Sequence, residues 1–171
     1  MNGKIQGKGK VLYPNGNLWY EGDLANNHIE GKGKYIDDNG DYYIGEFLNG
    51  KMHGKGKCFY QNGNIKYEGD CINGKRHGKG KMFDENGNLV YDGYFVNNHM
   101  NGKGKLFYKN GNLNYEGDFV NGKIEGYGKF IFENDNYYIG HFSNNRIHGK
   151  GIMFSKNGDI INDGYFFNEQ I

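Results

Sequence analysis

The sequence has very little alanine and proline. Ala25 is the only alanine and Pro14 the only proline among 171 residues, whereas glycine occurs 31 times. Glycine is less favourable than alanine inside a helix by roughly 1 kcal/mol, so we expect no long helices. A collagen-like triple helix is also excluded, because it requires abundant proline and a glycine at every third position.

The chain also lacks an excess of charge of one sign and lacks long apolar runs. Its 21 Lys and Arg residues nearly balance 20 Asp and Glu residues, which leaves a formal net charge of +1. Nucleic-acid binding depends on many uncompensated cations, so it is not expected. No run of about 18 apolar residues is present, and the N-terminus lacks the apolar segment of a signal peptide. We therefore predict a cytoplasmic protein.

Cysteine occurs only twice. A two-residue turn at Asn62-Gly63 would pair Cys58 with Tyr67 in neighbouring strands. Cys71 would then lie roughly four residues out of register, beyond the Cα separation of about 7 Å that a disulfide tolerates. We expect both thiols to be free.

Aromatic residues are abundant in this otherwise polar chain. The sequence contains 15 Tyr and 12 Phe, although hydrophobic residues make up only 36% and the mean hydropathy is -0.90. Each ring buries on the order of 150–250 Å², so aromatic side chains can hold together a thin structure. Dense aromatics and a low net charge argue against disorder.

Two motifs recur with a period of 23 or 24 residues. Gly-Lys-Gly starts at Gly7, Gly31, Gly54, Gly78, Gly102 and Gly149, with a variant at Gly126. Tyr-x-Gly starts at Tyr20, Tyr43, Tyr67, Tyr91, Tyr115 and Tyr138, with a degraded copy at 162–164. Because two independent motifs keep the same period, the chain is an array of internal repeats.

Turn signals divide each repeat into two strands. Asn-Gly favours a type I′ hairpin turn, in which both central residues have φ > 0, and we assign that turn to the pairs starting at Asn15, Asn39, Asn62, Asn86, Asn110 and Asn157 and to Asn134-Asp135. A second turn follows each Tyr-x-Gly strand, as at Asn49-Gly50 and Asn97-Asn98. We predict an all-β fold: an elongated single-sheet antiparallel meander of about fourteen strands, with residues 1–171 forming one array.

Alternation along the strands assigns the two faces of the sheet. In one strand Leu113, Tyr115, Gly117 and Phe119 share a side, as do the equivalent residues starting at Leu18 and at Ile65. We expect this tyrosine side to be packed, with glycine leaving room for a neighbouring ring or for a sharp bend in the sheet. Gly102 and Gly104 are expected to do the same on the other strand of the hairpin.

These units resemble the MORN repeat family. Residues Tyr67 to Asp70, followed by Asn73 to Gly80, reproduce its Tyr-x-Gly strand, turn and His-Gly-x-Gly segment, although the family's tryptophan after Tyr-x-Gly is replaced by phenylalanine in most repeats. The resemblance implies an elongated sheet with a groove that holds a partner peptide or helix. It also implies scaffold roles, self-association through terminal repeats in some members, and proposed lipid binding in others.

We expect neither a catalytic site nor a cofactor site from the repeated glycines, lysines and histidines. A nucleotide-binding Gly-rich loop leads into a helix, but Gly-Lys-Gly leads into a strand. Equivalent residues one repeat apart are about 9.6 Å apart, too far for two histidines to share one zinc ion. We expect His53, His77 and His148 to be turn residues that cap backbone groups.

Acidic residues recur at one repeat position, which is typical of scaffold residues rather than of an active site. We expect Glu21, Glu68, Asp92 and Glu116 to form a cross-strand ladder with Lys57, Lys81 and Lys105. We predict that the protein is not an enzyme and that it has no cofactor and no metal site.

Aromatic residues outside the packed side are the candidate binding residues. We predict partner binding by Trp19, Tyr42, Phe59, Phe83, Phe107 and Tyr137. The first hypothesis is a non-enzymatic protein-binding or scaffold module that holds a partner segment along the groove of the repeats.

Two alternatives stay open. The lysine row that includes Lys8, Lys32 and Lys55 could bind anionic lipid headgroups as a peripheral membrane module. The array could also be an inhibitor or immunity-type protein that neutralises a bacterial or phage enzyme. A homodimer through a terminal repeat is predicted as well, because open edge strands tend to pair.

Overall fold

The computed structural model describes residues 4–171 and is built entirely from strands and turns within that range. Fourteen antiparallel strands follow one another in chain order in one open sheet, which confirms the predicted meander. The strands are β1 Gly7–Leu12, β2 Leu18–Ala25, β3 His28–Ile36, β4 Tyr42–Leu48, β5 Lys51–Phe59, β6 Ile65–Ile72, β7 Lys75–Phe83, β8 Leu89–Val96, β9 His99–Phe107, β10 Leu113–Val120, β11 Lys123–Ile131, β12 Tyr137–Ser143, β13 Arg146–Phe154 and β14 Ile160–Gln170.

The chain forms two compact units, the first ending at Gly87 and the second running from Asn88 to Ile171. The first unit contains β1 to β7 and the second contains β8 to β14. The single array over residues 1–171 stays a prediction, and its residues 1–3 lie outside the described part of the chain.

Two kinds of turn alternate, and our assignment of the type I′ turn was wrong. At Asn15-Gly16 only the glycine has a positive φ, of 87°, and Gly16 N–H donates to Tyr13 O at 2.9 Å. This is a type I turn closed by a bulge glycine. The type I′ turn is the second kind, as at Asn49-Gly50 with φ of 49° and 74°. Asn26-Asn27, Asn73-Gly74, Asn97-Asn98, Asn121-Gly122 and Asn144-Asn145 share this geometry.

A ladder of glycines paired across neighbouring strands runs through each unit. The first unit has Gly9, Gly22, Gly33, Gly45, Gly56, Gly69 and Gly80 in register. The second unit has Gly93, Gly104, Gly117, Gly128, Gly140, Gly151 and Gly164. We refer to these residues as the glycine ladder.

A tyrosine ring lies across each of six glycine pairs. A Cβ atom on Gly104 or on Gly93 would overlap the ring of Tyr91. The Tyr91 hydroxyl then donates a hydrogen bond to Tyr94 O at 3.0 Å, so the ring is held flat against the backbone. The prediction that glycine makes room for a ring is correct for Gly104. Gly102 does not make room for a ring, because a Cβ there would come no nearer than 3.8 Å to another atom; its φ of 77° is the reason for glycine.

The tyrosines pack edge-to-face against phenylalanines in an alternating column, which confirms the tyrosine side as the packed one. In the first unit Phe47 lies 5.3 Å from the rings of both Tyr20 and Tyr43. In the second unit Tyr115 lies 5.2 Å from Phe119 and from Phe142. All six rings are buried, and burial raises the pKa of the tyrosine hydroxyls.

Bulges move the first residue of β2, β6 and β10 off the packed side, and β14 has the same register shift at its start. Leu113 pairs with Phe107 while Tyr115 pairs with Leu106, so Asn114 is an extra residue between them. Two residues then oppose one and the alternation shifts. Leu113 therefore does not share a side with Tyr115 as predicted, and the same correction applies to Leu18 and Ile65.

The cysteine register is the one predicted. Cys58 pairs with Tyr67 and Cys71 pairs with Gly54. Both thiols are free.

The glycine ladder generates a stability prediction with a control inside the same ladder. Gly104→Ala should lower the free energy of unfolding by about 2–3 kcal/mol, because its methyl group would overlap the Tyr91 ring. Gly164→Ala should change it by less than about 0.5 kcal/mol, because Asn162 replaces the tyrosine there and a Cβ meets nothing within 4 Å. Urea unfolding measures the free energy of unfolding of both variants. Equal losses of this free energy in the two variants would contradict the role of the Tyr91 ring.

Burial of the thiols generates a second prediction. Burial raises the pKa of Cys58 to about 11 and that of Cys71 to about 12, so little thiolate is present near pH 8. Reaction of the native protein with a thiol-disulfide reagent should be at least about tenfold slower than reaction of the urea-unfolded protein. The Cys58→Ser variant isolates the reaction of Cys71. A native rate equal to the unfolded rate would show that the thiols are accessible.

Candidate partner-binding face

The sheet face opposite the core tyrosines, which we call the outer face, carries a row of apolar side chains. Tyr42 is paired with Ile36 on one side and with Phe59 on the other, and these residues are half-buried. In the first unit the row consists of Leu12, Leu18, Ile36, Tyr42, Phe59, Ile65 and Phe83. In the second it consists of Phe107, Leu113, Ile131, Tyr137, Phe154 and Ile160. We call these residues the outer apolar row.

The strand pairs β3–β4 and β11–β12, which have no register shift, build the same cluster in the two units. In the first, Tyr42 stacks on Phe59 with ring centroids 4.6 Å apart, and Lys34 Nζ lies 4.2 Å above the Tyr42 ring. In the second, the ring centroids of Tyr137 and Phe154 are 4.8 Å apart, and Lys129 Nζ lies 4.1 Å from the centroid of the Tyr137 ring. A cation over an aromatic face is attracted by the ring quadrupole.

Five of the six predicted binding residues lie in the outer apolar row, and one does not. Tyr42 and Phe59 are in direct contact, and the other three are Phe83, Phe107 and Tyr137. Their role in binding stays a prediction.

The placement of Trp19 on this face was wrong. Trp19 is the extra residue of a bulge, and its ring contacts Tyr35 at a centroid distance of 5.9 Å. Tyr35 pairs with Tyr20 and Tyr43 of the core, so Trp19 packs on the tyrosine side.

Phe154 was missed as a member of this row. It lies five residues after the glycine that opens Gly-Lys-Gly, as Phe59, Phe83 and Phe107 do. That shared spacing would have been sufficient to find it.

Charged side chains form two ladders on the outer face, one on each side of the glycine ladder. On one side the predicted pairs Lys57–Glu68 and Lys105–Glu116 are confirmed at 3.0 and 3.1 Å, and Lys81 is in register with Glu68. On the other side Lys8–Asp23, Lys55–Asp70 and Lys103–Asp118 are 3.1, 2.9 and 2.7 Å apart. Exposed pairs of this kind contribute little stability individually.

The second ladder also closes a backbone bulge. Asp23 Oδ2 accepts a hydrogen bond from the Lys32 backbone N–H at 2.9 Å, next to Gly31 with its φ of 69°. This bond and the Lys8 ammonium lower the pKa of Asp23 below its usual range. Asp118 repeats the arrangement with the Tyr127 backbone N–H at 3.1 Å.

In the second unit, aromatic residues replace several members of this ladder. Tyr94 and His141 stand where other repeats have Asp or Glu, and Tyr127 stands where others have lysine. Tyr94 and Tyr127 are each 51% exposed, and the Tyr127 ring contacts His141 at 5.3 Å. These residues could be found in the sequence because they depart from the repeat pattern. Their exposure could not, because it depends on their cross-strand neighbours.

Three histidines were placed wrongly as turn residues. His53, His77 and His148 lie inside β5, β7 and β13, and Nδ1 of His53 is buried without a hydrogen-bond partner among the described residues. Residues 4–171 contain no group of three or more His, Cys, Asp or Glu side chains placed to hold a metal ion. No helix within that range is long and apolar enough to cross a membrane.

The Asp23 contacts generate a pH prediction. Because the pKa of Asp23 is lower in the folded protein, its stabilising effect is complete above the unfolded pKa of about 3.9 and is lost as pH falls through the folded pKa. Asp23→Asn should lower Tm at pH 7, and the difference from wild type should shrink below about pH 4. Glu21→Gln, which removes only an exposed ion pair, is the control. A Tm difference that stays constant between neutral and acidic pH would contradict this assignment.

Comparison with known families agrees with this architecture. The MORN repeat model matches residues 1–18, 20–42, 43–65, 91–113, 115–137 and 138–160, and the MORN repeat variant model matches residues 76–97. No curated protein matches the chain. The matched repeats cover most of the sequence and coincide with the hairpins described above. The chain belongs to the MORN repeat family.

Proposed function

We propose that the protein is a non-enzymatic protein-binding or scaffold module that holds a segment of a partner protein along its outer face. MORN repeats are generally associated with protein or membrane binding. The observation that carries the proposal is the outer apolar row, which adds a second line of apolar side chains to a sheet whose buried core lies on the other face.

The composition of this face suits a protein partner. Half-buried aromatic rings held by stacking, such as Tyr42 on Phe59, lose little side-chain freedom when a partner covers them. Tyrosines are enriched among residues that dominate binding energy, and Tyr94 and Tyr127 are exposed beside the ladder of the second unit. The outer face therefore offers apolar anchors next to charged groups.

The ion-pair ladders favour protein binding over the alternative of a lipid-binding module. On the first unit lysines alternate with acids, as in Lys8–Asp23 and Lys55–Asp70. A flat anionic membrane would meet these carboxylates together with the lysines, whereas a peptide segment can contact some side chains and avoid others. Neutralisation of a bacterial or phage enzyme would use the same binding mode. That role, a homodimer and a cytoplasmic location stay predictions.

Quantitative capture from native cell lysate tests the proposal. The tagged full chain should retain a protein partner in stoichiometric amount. The Phe83→Ala, Phe107→Ala double variant should lose most of it, because both residues belong to the outer apolar row. Asn110→Ser and Asn157→Ser alter exposed turn residues and should retain it. Thermal unfolding of each variant confirms that the fold is intact.

Retention of the partner by the double variant would contradict binding on the outer face. A wild-type chain that captures no protein and instead sediments with vesicles containing phosphatidylserine would replace the proposal with lipid binding.

A further inference from the structure

The first unit contains a groove on its outer face, lined by residues of β1 to β5. Its volume is about 700 Å³, and four members of the glycine ladder, Gly9, Gly22, Gly33 and Gly45, contribute to its lining. The remaining lining residues are Lys8, Lys10, Glu21, Lys32, Lys34, Ile44, Glu46 and Lys55. Their side chains stand at the strand positions on either side of the glycines.

Lysines outnumber acidic residues in the lining of the groove. Five lysines and two glutamates line it, a balance of +3, and Asp23 and Asp70 beside the lining are paired with Lys8 and Lys55. Positive charge concentrated in a cleft raises the local concentration of an anionic ligand and its association rate.

One substitution in the repeat pattern explains much of this charge. Ile44 occupies the position that carries Glu21, Glu68, Asp92 or Glu116 in other repeats. Lys34 is in register with Glu21 on one side and with Ile44 on the other. Glu21 is ion-paired with Lys10, and the Lys34 ammonium lies over the Tyr42 ring.

Lys32 is the second lysine of the groove whose ammonium forms no ion pair with another described residue, although its charge helps to lower the pKa of the neighbouring Asp23. It is in register with Glu46, but the Glu46 carboxylate turns towards Gly54 on the other neighbouring strand. Within residues 4–171, neither Lys32 nor Lys34 forms an ion pair. Two ammonium groups that form no ion pair within that range therefore flank Gly33.

An apolar surface lies next to these two charges. Ile44 is 46% exposed and lies on the same face as Tyr42, two residues earlier in the strand. A ligand that binds here must present a carboxylate close to an aliphatic or aromatic group.

We propose that this groove binds an extended acidic peptide segment of a partner protein, with a carboxylate between Lys32 and Lys34 and an apolar side chain on Ile44 and Tyr42. The inference rests on the proposed function and narrows it to a ligand class. Five strands span about 19 Å, which is the length of about six extended residues. The glycine lining leaves space for a backbone, which an extended segment fills and a bulky headgroup does not.

The second unit provides a matched control residue. Lys129 lies over Tyr137 and pairs with Ile139, as Lys34 does with Tyr42 and Ile44. Lys129 is not among the residues that line the groove. Charge reversal at Lys34 and at Lys129 should therefore change the stability of the fold equally. Only the reversal at Lys34 should weaken binding strongly.

The experiment selects random peptides of about ten residues on the full-length protein by phage display and measures binding of labelled synthetic copies by fluorescence anisotropy. Selected peptides should carry an acidic residue within about three positions of an aliphatic or aromatic one. Lys34→Glu should weaken binding by about tenfold or more, Lys129→Glu by less than about twofold, and added salt should weaken wild-type binding.

Three results would overturn the inference. Selected peptides could lack acidic residues, the two charge reversals could have equal effects, or no peptide could be enriched. If Lys34→Glu has no effect but Phe59→Ala weakens binding, the outer face still binds protein and only the acidic-peptide assignment fails. If Lys34→Glu instead abolishes sedimentation with phosphatidylserine vesicles while no acidic peptide binds, the groove takes a lipid and not a peptide.

Discussion

In every complete repeat, a tyrosine ring lies across two glycines of neighbouring strands. Tyr115, for example, covers Gly117 and Gly128, and its hydroxyl donates to Asp118 O at 3.1 Å. The ring can lie there only because neither glycine has a Cβ. This contact places the tyrosines on one face, where phenylalanines pack against them edge-to-face. A chain with 36% hydrophobic residues can form a core in this way because each unit concentrates its rings in one column.

The same constraint shapes the outer face of the sheet. With the tyrosines on the inner side, the residues before and after each glycine point outwards and form the two charged ladders, as Glu116 and Asp118 do on either side of Gly117. The glycines between them contribute no side chain, so a groove can form along their ladder. Ladder positions that depart from the repeat, such as Ile44, Tyr94 and Tyr127, can differ without disturbing the core. Residues on the outer face can therefore vary while the fold is kept by the other face.

Much of the fold was predictable because its signals are local and repeated. Gly-Lys-Gly, Tyr-x-Gly and the asparagine turns each recur seven times with at most one substitution, and together they indicated fourteen antiparallel strands and the packed side. The turn type was not predictable from Asn-Gly alone, because this dipeptide fits both a type I turn with a bulge glycine and a type I′ turn. The face of Trp19 was mispredicted because a bulge interrupts the alternation. The charge of the groove depends on which lysines form no ion pair, and that requires the side-chain positions in the structure.

The most direct test of this account is a nuclear magnetic resonance titration of the full-length protein with a selected acidic peptide, following the backbone amides of the glycine ladder. Gly22, Gly33 and Gly45 line the groove of the first unit, whereas Gly128 and Gly140 belong to the equivalent ladder of the second. The account predicts that the amide signals of the first three glycines shift on binding and that those of the other two do not. Equal shifts in both units, or shifts confined to turn residues, would contradict it.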